Sequence, residues 1–237
     1  MRALWILCVG LGLGFLAGCA PPPPPVVVSG SETGTNQTVQ AGSPYAAFLE
    51  VVGRVEPVAE RVCLSQTRGV NCKFKVVIDE RRDQIPNAFQ SLTSSGQPVL
   101  TITATLIEDM RNQDELAFVL SHEAAHHIQG HLERQEQNAA AGAAVFAGLA
   151  SLTGGSEQDV QTALELGAVV GARSYSKDFE LEADELGTVI AFQAGYDPMR
   201  GAAYFARLPD PGNRFLGTHP PNAARVETVR ATLARLQ

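Results

Sequence analysis

The sequence contains few residues that carry specialised chemistry. Its 237 residues include four cysteines, five histidines and one tryptophan. Lys and Arg form no cluster, and the net charge is −7 at pH 7. A protein without a basic patch lacks the electrostatic footprint of nucleic-acid binding, so we expect no nucleic-acid partner. The hydrophobic share of 45% is nevertheless sufficient to build a packed globular core.

Long apolar runs are also missing. The N-terminal run Ala3–Ala17 is too short and too rich in glycine for a membrane span, and it follows Arg2, which is typical of a secretory signal. It ends in Leu-Ala-Gly-Cys at 16–19, which resembles the lipobox of bacterial lipoproteins. That resemblance implies cleavage after residue 18 and acylation of Cys19; the alternative is an ordinary signal with an incidental cysteine. Ala20, in place of an aspartate, favours the outer membrane.

The segment after Cys19 predicts a tether. Five prolines at 21–25 form a stiff stretch, and residues 26–43 are rich in Ser, Thr, Gly and Asn. We therefore divide the chain into a signal peptide at 1–18, a lipid-anchored flexible linker at 19–43 and one domain at 44–237. In an exported domain, Cys63 and Cys72 are expected to form a disulfide, and two unpaired thiols are the alternative.

Hydrophobic periodicity predicts an α+β fold that is mostly helical, with a small β-sheet. A first helix is predicted over Tyr45–Arg61, and a motif helix from Asn112 to about Gln135, with Asn112 and Glu115 in a capping-box pattern. The remaining predictions are strands at 74–78 and 99–103, a short extended piece at 85–89, and helices around 139–152, 160–170, 173–194 and 221–236. The apolar pair within 139–170 either packs on the domain or over its cleft, or associates with a membrane.

The run HEAAHH at 122–127 contains the pattern HExxH. On a helix, His122 and His126 project from the same face and can bind one metal ion, while Glu123 is placed to act on a water at that metal. This division of roles is the one that a zinc hydrolase needs. The alternative is a solvent-facing helix with scattered histidines.

A zinc site needs a third protein ligand, and the notable candidate lies in ELEAD at 180–184. The spacing puts Glu180 and Asp184 on one helical face, so that Glu180 can bind the metal while Asp184 accepts the far N–H of a ligand histidine. We interpret Glu182 as solvated or salt-bridged. His127 and His131 lie on a different face of a continuous helix and are interpreted as surface residues.

These motifs together resemble one family. HExxH, then ExEAD, Ala-Gly-Tyr-Asp-Pro at 194–198, Thr-His-Pro-Pro at 218–221 and Arg225 resemble the gluzincin metallopeptidases of the HtpX and CaaX-prenyl-protease family, in its periplasmic lipoprotein branch. The resemblance implies a zincin-type domain that binds one zinc ion per chain. It makes His122, His126 and Glu180 the ligands, Glu123 the general base and Asp184 a support. It also implies that His219 can cap the zinc as a fourth, regulatory ligand.

The expected function is hydrolysis of peptide bonds in misfolded or misassembled envelope proteins. We expect polypeptide substrates to add as a strand along Val99–Thr103. A chaperone or assembly factor that seldom cleaves is one alternative, with envelope assembly complexes as partners. A structural zinc lipoprotein is another. Glu123 favours the enzyme, because a binding module has no use for a base at that position.

Overall fold

The structure is a computed structural model that describes residues 26–28, 43–214, 217 and 219–237. The predicted signal peptide, Cys19 and most of the predicted linker lie outside the described residues. Val26–Val28 (β1) is described and pairs with the sheet as an antiparallel strand, so the structure differs from the linker expectation at these three residues. No helix within the described ranges combines the length and the apolar character needed to cross a membrane.

The described strands form one mixed sheet. Lys75–Asp79 (β2) and Pro98–Thr103 (β4) are parallel, and Ala88–Leu92 (β3) runs antiparallel to β4. The order is β1-β2-β4-β3. The strands predicted at 74–78 and 99–103 are therefore confirmed. However, β4 is a central strand with both edges paired, so the expectation that a substrate strand adds along Val99–Thr103 is wrong. The edge strands of the described sheet are β1 and β3, and β3 is the one whose residues line the cleft described below.

The first helix, Pro44–Gln66 (α1), begins at Ser43, whose side chain accepts a hydrogen bond from the N–H of Ala46. Its apolar face is fully buried in the main core, together with β2 and β4. Near its end, Cys63 forms the predicted disulfide with Cys72, with 5.7 Å between the Cα atoms. The bond closes a short loop that returns the chain to the start of β2.

After the short helix Ala104–Asp109 (α2), the motif helix Gln113–Ile128 (α3) begins at the predicted cap. Asn112 accepts a hydrogen bond from the N–H of Glu115, whereas the Glu115 carboxylate accepts one from the N–H of Arg111. The prediction that this helix continues to about Gln135 is wrong, because α3 ends at Ile128. Gly130 adopts a left-handed conformation with φ 66°, which glycine reaches without steric cost, and this conformation ends the helix.

The segment predicted to contain two small-residue helices forms a long hairpin of His131–Leu152 (α4) and Glu157–Ser174 (α5). The two helices pack against each other, and among their residues only His131 and Gly167 are buried. The hairpin therefore packs mainly on itself and not on the domain core. Near its base, Leu132 and Gln135 line the cleft described below.

The chain returns through Ser176–Gln193 (α6), which packs against α3. Asp197 caps Pro198–Ala202 (α7), and a 3₁₀ turn at Ala203–Arg207 follows. The final helix, Asn222–Leu236 (α8), packs against α6. The fold is thus α+β and mostly helical, as predicted. Helix α3 lies at its centre, in contact with α1, the sheet, α6 and α7.

Candidate metal centre

The side chains of His122, His126 and Glu180 meet where α3 and α6 pack together. Their ligand atoms all lie within 4.8 Å of one another. The two Nε2 atoms are 3.0 Å apart. Glu180 Oε2 lies 3.6 Å from Nε2 of His122, and its Oε1 lies 3.4 Å from Nε2 of His126. Two imidazole nitrogens and one carboxylate oxygen therefore converge, and the i, i+4 spacing on α3 predicts the part of this arrangement that involves the two imidazoles.

A glycine on α6 makes this convergence possible. A Cβ added to Gly187 would lie 3.1 Å from the Cα of His122, tighter than an ordinary van der Waals contact. The backbone of α6 therefore approaches α3 closely beside the first histidine. Glu180 lies two helical turns before Gly187, so the close approach brings its carboxylate within reach of both imidazoles.

The far side of His122 is held by a buried ion pair. Its Nδ1 lies 3.0 Å from Oδ1 of Asp184, which is fully buried. Arg225 on α8 in turn binds both carboxylate oxygens of Asp184, at 2.6 and 2.7 Å. Its guanidinium lies 3.9 Å from the ring centroid of Phe205. Asp184 thus sits where the sequence predicts, while the sequence analysis assigned no role to Arg225 beyond its place in the resemblance.

The charges of this cluster favour a cation. Burial alone lowers the pKa of His122, but hydrogen bonds to Asp184 and Glu180 outweigh it and raise the pKa to about 10. Burial alone raises the pKa of Glu180, but hydrogen bonds from His122, His126 and His219 hold it well below its usual range. Glu180 is therefore an ionised carboxylate. A metal ion binding at Nε2 of His122 would replace a proton that the same carboxylates otherwise stabilise.

Glu123 lies in the same cleft. The cleft has a volume of about 510 Å³ and is lined by residues of β3, α3, α6, the 3₁₀ turn and α8, including Glu123 and all three members of the cluster. Glu123 is largely buried, and 9% of its surface is exposed to solvent. A carboxylate beside the cluster and open to the cleft can exchange a proton with a water or a substrate bound there.

The structure corrects the interpretation of His127 and His131 as surface residues, because both are buried. Burial lowers the pKa of His127, whose Nε2 lies 2.8 Å from the carbonyl oxygen of Asn71 in the disulfide loop. Burial also lowers the pKa of His131, to about 4, despite its hydrogen bond to Glu182. Glu182 is salt-bridged to Arg134, as predicted. The break at Gly130 turns His131 back towards α6, which a continuous helix could not do.

His219 also reaches the cluster, from the loop before α8. Its Nδ1 lies 3.1 Å from Oε2 of Glu180, and 56% of its side chain is exposed. It contacts the carboxylate and stands at the edge of the cluster formed by the other three residues. All of the predicted site residues from 122 onwards are therefore brought together by the fold.

The donor set fits a catalytic transition-metal site. Two imidazoles and one carboxylate are a known zinc ligand set, and three protein ligands leave further positions for water or substrate. Each histidine also has a hydrogen-bonding partner at its second nitrogen, as metal-bound histidines in proteins almost always have.

The fold and the cluster define a helical α+β domain with a candidate metal centre of two histidines and one glutamate. The chain belongs to peptidase family M48, whose family model matches residues 49–233. It is 29% identical over 163 residues to the mitochondrial metalloendopeptidase OMA1 of Schizosaccharomyces pombe, covering 66% of this chain and 46% of that protein. It is 33% identical over 132 residues to the beta-barrel assembly-enhancing protease of Yersinia pestis, covering 50% of this chain and 27% of that protein. The chain thus spans less than half the length of these relatives.

Proposed function

We propose that the protein is a zinc-dependent endopeptidase of the bacterial cell envelope. The observation that carries this proposal is the convergence of His122, His126 and Glu180 within 4.8 Å, beside Glu123 in an open cleft. Membership of a peptidase family supports a polypeptide substrate. The similarity to the beta-barrel assembly-enhancing protease supports a place in the envelope.

The residues divide the chemistry between them. His122, His126 and Glu180 would hold one zinc ion, which when bound supplies a Lewis acid that polarises the scissile carbonyl and lowers the pKa of the attacking water. Glu123 accepts the proton of that water and then donates it to the leaving amine. Asp184 accepts the Nδ1–H of His122 and so keeps the Nε2 lone pair directed at the cluster. Arg225 neutralises and fixes Asp184.

We propose that the substrate pairs with the open edge of strand β3. The carbonyl of Asn87 accepts a hydrogen bond from the N–H of Thr103, so the backbone of Asn87 faces β4. Alternation along an antiparallel strand then directs the N–H and C=O groups of Ala88 and Gln90 to the open edge. Both residues line the cleft. An extended peptide pairing there would lie along the metal centre and be bound largely through its main chain.

Substitution Gln90→Pro tests this strand. Proline removes the outward N–H and places its ring at the open edge, so we expect kcat/KM for an unfolded protein substrate to fall about tenfold, the loss of roughly one hydrogen bond. Gln90→Ala keeps the N–H and is the matched control, with activity near that of the wild type. Equal activity of the two variants would mean that substrates do not pair with β3.

The proposed location depends on Cys19. An acylated Cys19 would anchor the domain to the outer membrane on its periplasmic side. We expect Cys19→Ser to abolish labelling by a fatty-acid analogue and to release the protein into the soluble periplasmic fraction. The measurement is fractionation of cells that express each form. Labelling and membrane retention equal to those of the wild type would contradict the anchor.

The proposed substrates are misfolded or misassembled envelope proteins, and His219 is proposed to restrain the site as a movable fourth ligand. Trapping tests the proposal: Glu123→Gln expressed in cells should retain bound polypeptides that the wild type cleaves. Those polypeptides should accumulate uncleaved in the variant. If the variant supports envelope assembly as well as the wild type does, the protein acts as an assembly factor and not as a protease.

A further inference from the structure

His131 lies outside the HExxH motif, yet it contacts one of its histidines directly. Its Nδ1 is 2.8 Å from Nδ1 of His126, and the two ring centroids are 4.9 Å apart. Only 3% of its surface is exposed. We propose that His131 is a positioning residue for the metal, which fixes the tautomer and the ring orientation of His126. The proposal rests on the metal site described above.

The protons of this contact can be assigned by elimination. Nε2 of His126 faces Nε2 of His122 and Oε1 of Glu180, so it is the ligand atom and must carry a lone pair. The proton of a neutral His126 is then on Nδ1 and can only be donated to Nδ1 of His131. His131 must therefore carry its own proton on Nε2.

That second proton also has an acceptor. Nε2 of His131 lies 3.1 Å from Oε2 of Glu182. Glu182 is held in turn by both terminal nitrogens of Arg134, at 2.6 and 3.2 Å. The hydrogen bonds thus run in one direction, from His126 through His131 to a carboxylate. If the donor and acceptor in either of these hydrogen bonds were exchanged, the proton of a neutral His126 would move to Nε2, the atom whose lone pair the metal needs.

The ring of His131 is also held in its plane. It stacks on Phe179 with a centroid distance of 4.7 Å and an interplanar angle of 10°. Phe179 and Glu182 both belong to α6, the helix that supplies Glu180 and Asp184. Helix α6 therefore supplies the carboxylate ligand and also orients both ligand histidines. It orients His122 directly through Asp184 and His126 through His131.

The test compares three variants of the full-length protein by zinc affinity, measured in competition with a chromophoric chelator. His131→Phe keeps an aromatic ring against Phe179 but has no acceptor, and we expect zinc affinity to fall about 10- to 100-fold. His131→Asn restores an acceptor near the position of Nδ1 and should recover most of the loss. His127→Phe is the matched control, because His127 is a buried neighbour that bonds a backbone carbonyl and no ligand. It should bind zinc within about threefold of the wild type.

A fourth variant covers the case in which His131→Phe does not fold. Glu182→Ala removes the final acceptor from a side chain that is 38% exposed, and it should weaken zinc binding at least about threefold, whereas Glu185→Ala on the same helix should not. Wild-type affinity in His131→Phe or Glu182→Ala, or an equal loss in His127→Phe, would overturn the inference. Failure of the wild-type protein to bind zinc would instead overturn the proposed function.

Discussion

Substituting Glu123 by glutamine is expected to abolish peptide hydrolysis and leave zinc bound. Glutamine has nearly the same shape but cannot accept the proton of the attacking water, and general-base catalysis of this kind contributes about 10²- to 10⁴-fold to kcat. Glu123 is not among the three converging side chains that are the candidate ligands, so the metal content should stay at one zinc per chain. The measurement pairs cleavage of an unfolded protein with the zinc content of the same sample.

Glu185→Gln is the control for that experiment. Glu185 lies on α6 and forms an exposed salt bridge with Arg235, away from the cluster. Its activity and zinc content should match those of the wild type. A Glu123→Gln enzyme that retains wild-type kcat would show that Glu123 is not the base, whereas loss of its zinc would show that Glu123 helps to hold the metal.

Glu180→Ala should have the opposite signature, with loss of the zinc itself. The substitution removes one of three ligands and leaves the two imidazoles without a carboxylate. We expect zinc affinity to fall by more than the about 10- to 100-fold that follows loss of a partner outside the ligand set. Hydrolysis should fall in parallel, and the zinc content after dialysis is the direct measurement. Undiminished zinc content would mean that the third ligand is another residue.

Much of the site could be predicted from the sequence because its spacing rules are local. A helix places residues four positions apart on one face, so His122 with His126, and Glu180 with Asp184, could be paired without knowledge of the fold. The cap at Asn112 is equally local and is confirmed. The two pairs meet because α3 packs against α6, and spacing within a helix does not predict this packing. The sequence indicates it only because the order of its motifs resembles that of a known family.

The environment of His131 could not be predicted by treating 112–135 as one helix. The direction in which a side chain projects from a helix can be predicted only while the helix continues. Here the helix is interrupted at Gly130, one residue before His131. Glycine just after a helical segment is a stop signal, so this break could have been found. Its consequence, a histidine turned onto α6, depends on tertiary packing and has no local signal.

The wrong assignment of the substrate edge has a different cause. The alternating and β-branched residues at 99–103 identify a strand, but they carry no information on which strands lie beside it. Strand order arises from chain connectivity, and here it encloses β4 between β2 and β3. The contact of Arg225 with Asp184 could not be predicted for a similar reason, because Asp184 lies 41 residues earlier in the sequence.

The residues of the candidate metal centre come mainly from two neighbouring helices. The candidate ligands His122 and His126 belong to α3, whereas Glu180, Asp184 and Glu182 belong to α6, so the contact between these two helices brings most of the cluster together. The close approach at Gly187 maintains that contact. Substrate, by contrast, is proposed to bind to β3, which also lines the cleft. In the proposed function, the metal is held by α3 and α6, whereas the substrate pairs with β3.

We propose, above all, that this protein hydrolyses polypeptides with a single zinc ion. The most direct test removes metal from the purified full-length protein with a chelator and then titrates zinc back, while cleavage of an unfolded substrate is followed. We predict no cleavage without metal and recovery that is complete at one zinc per chain. Cleavage that persists in metal-free protein would contradict the claim, as would a zinc-loaded protein that never cleaves in either its wild-type or its His219→Ala form.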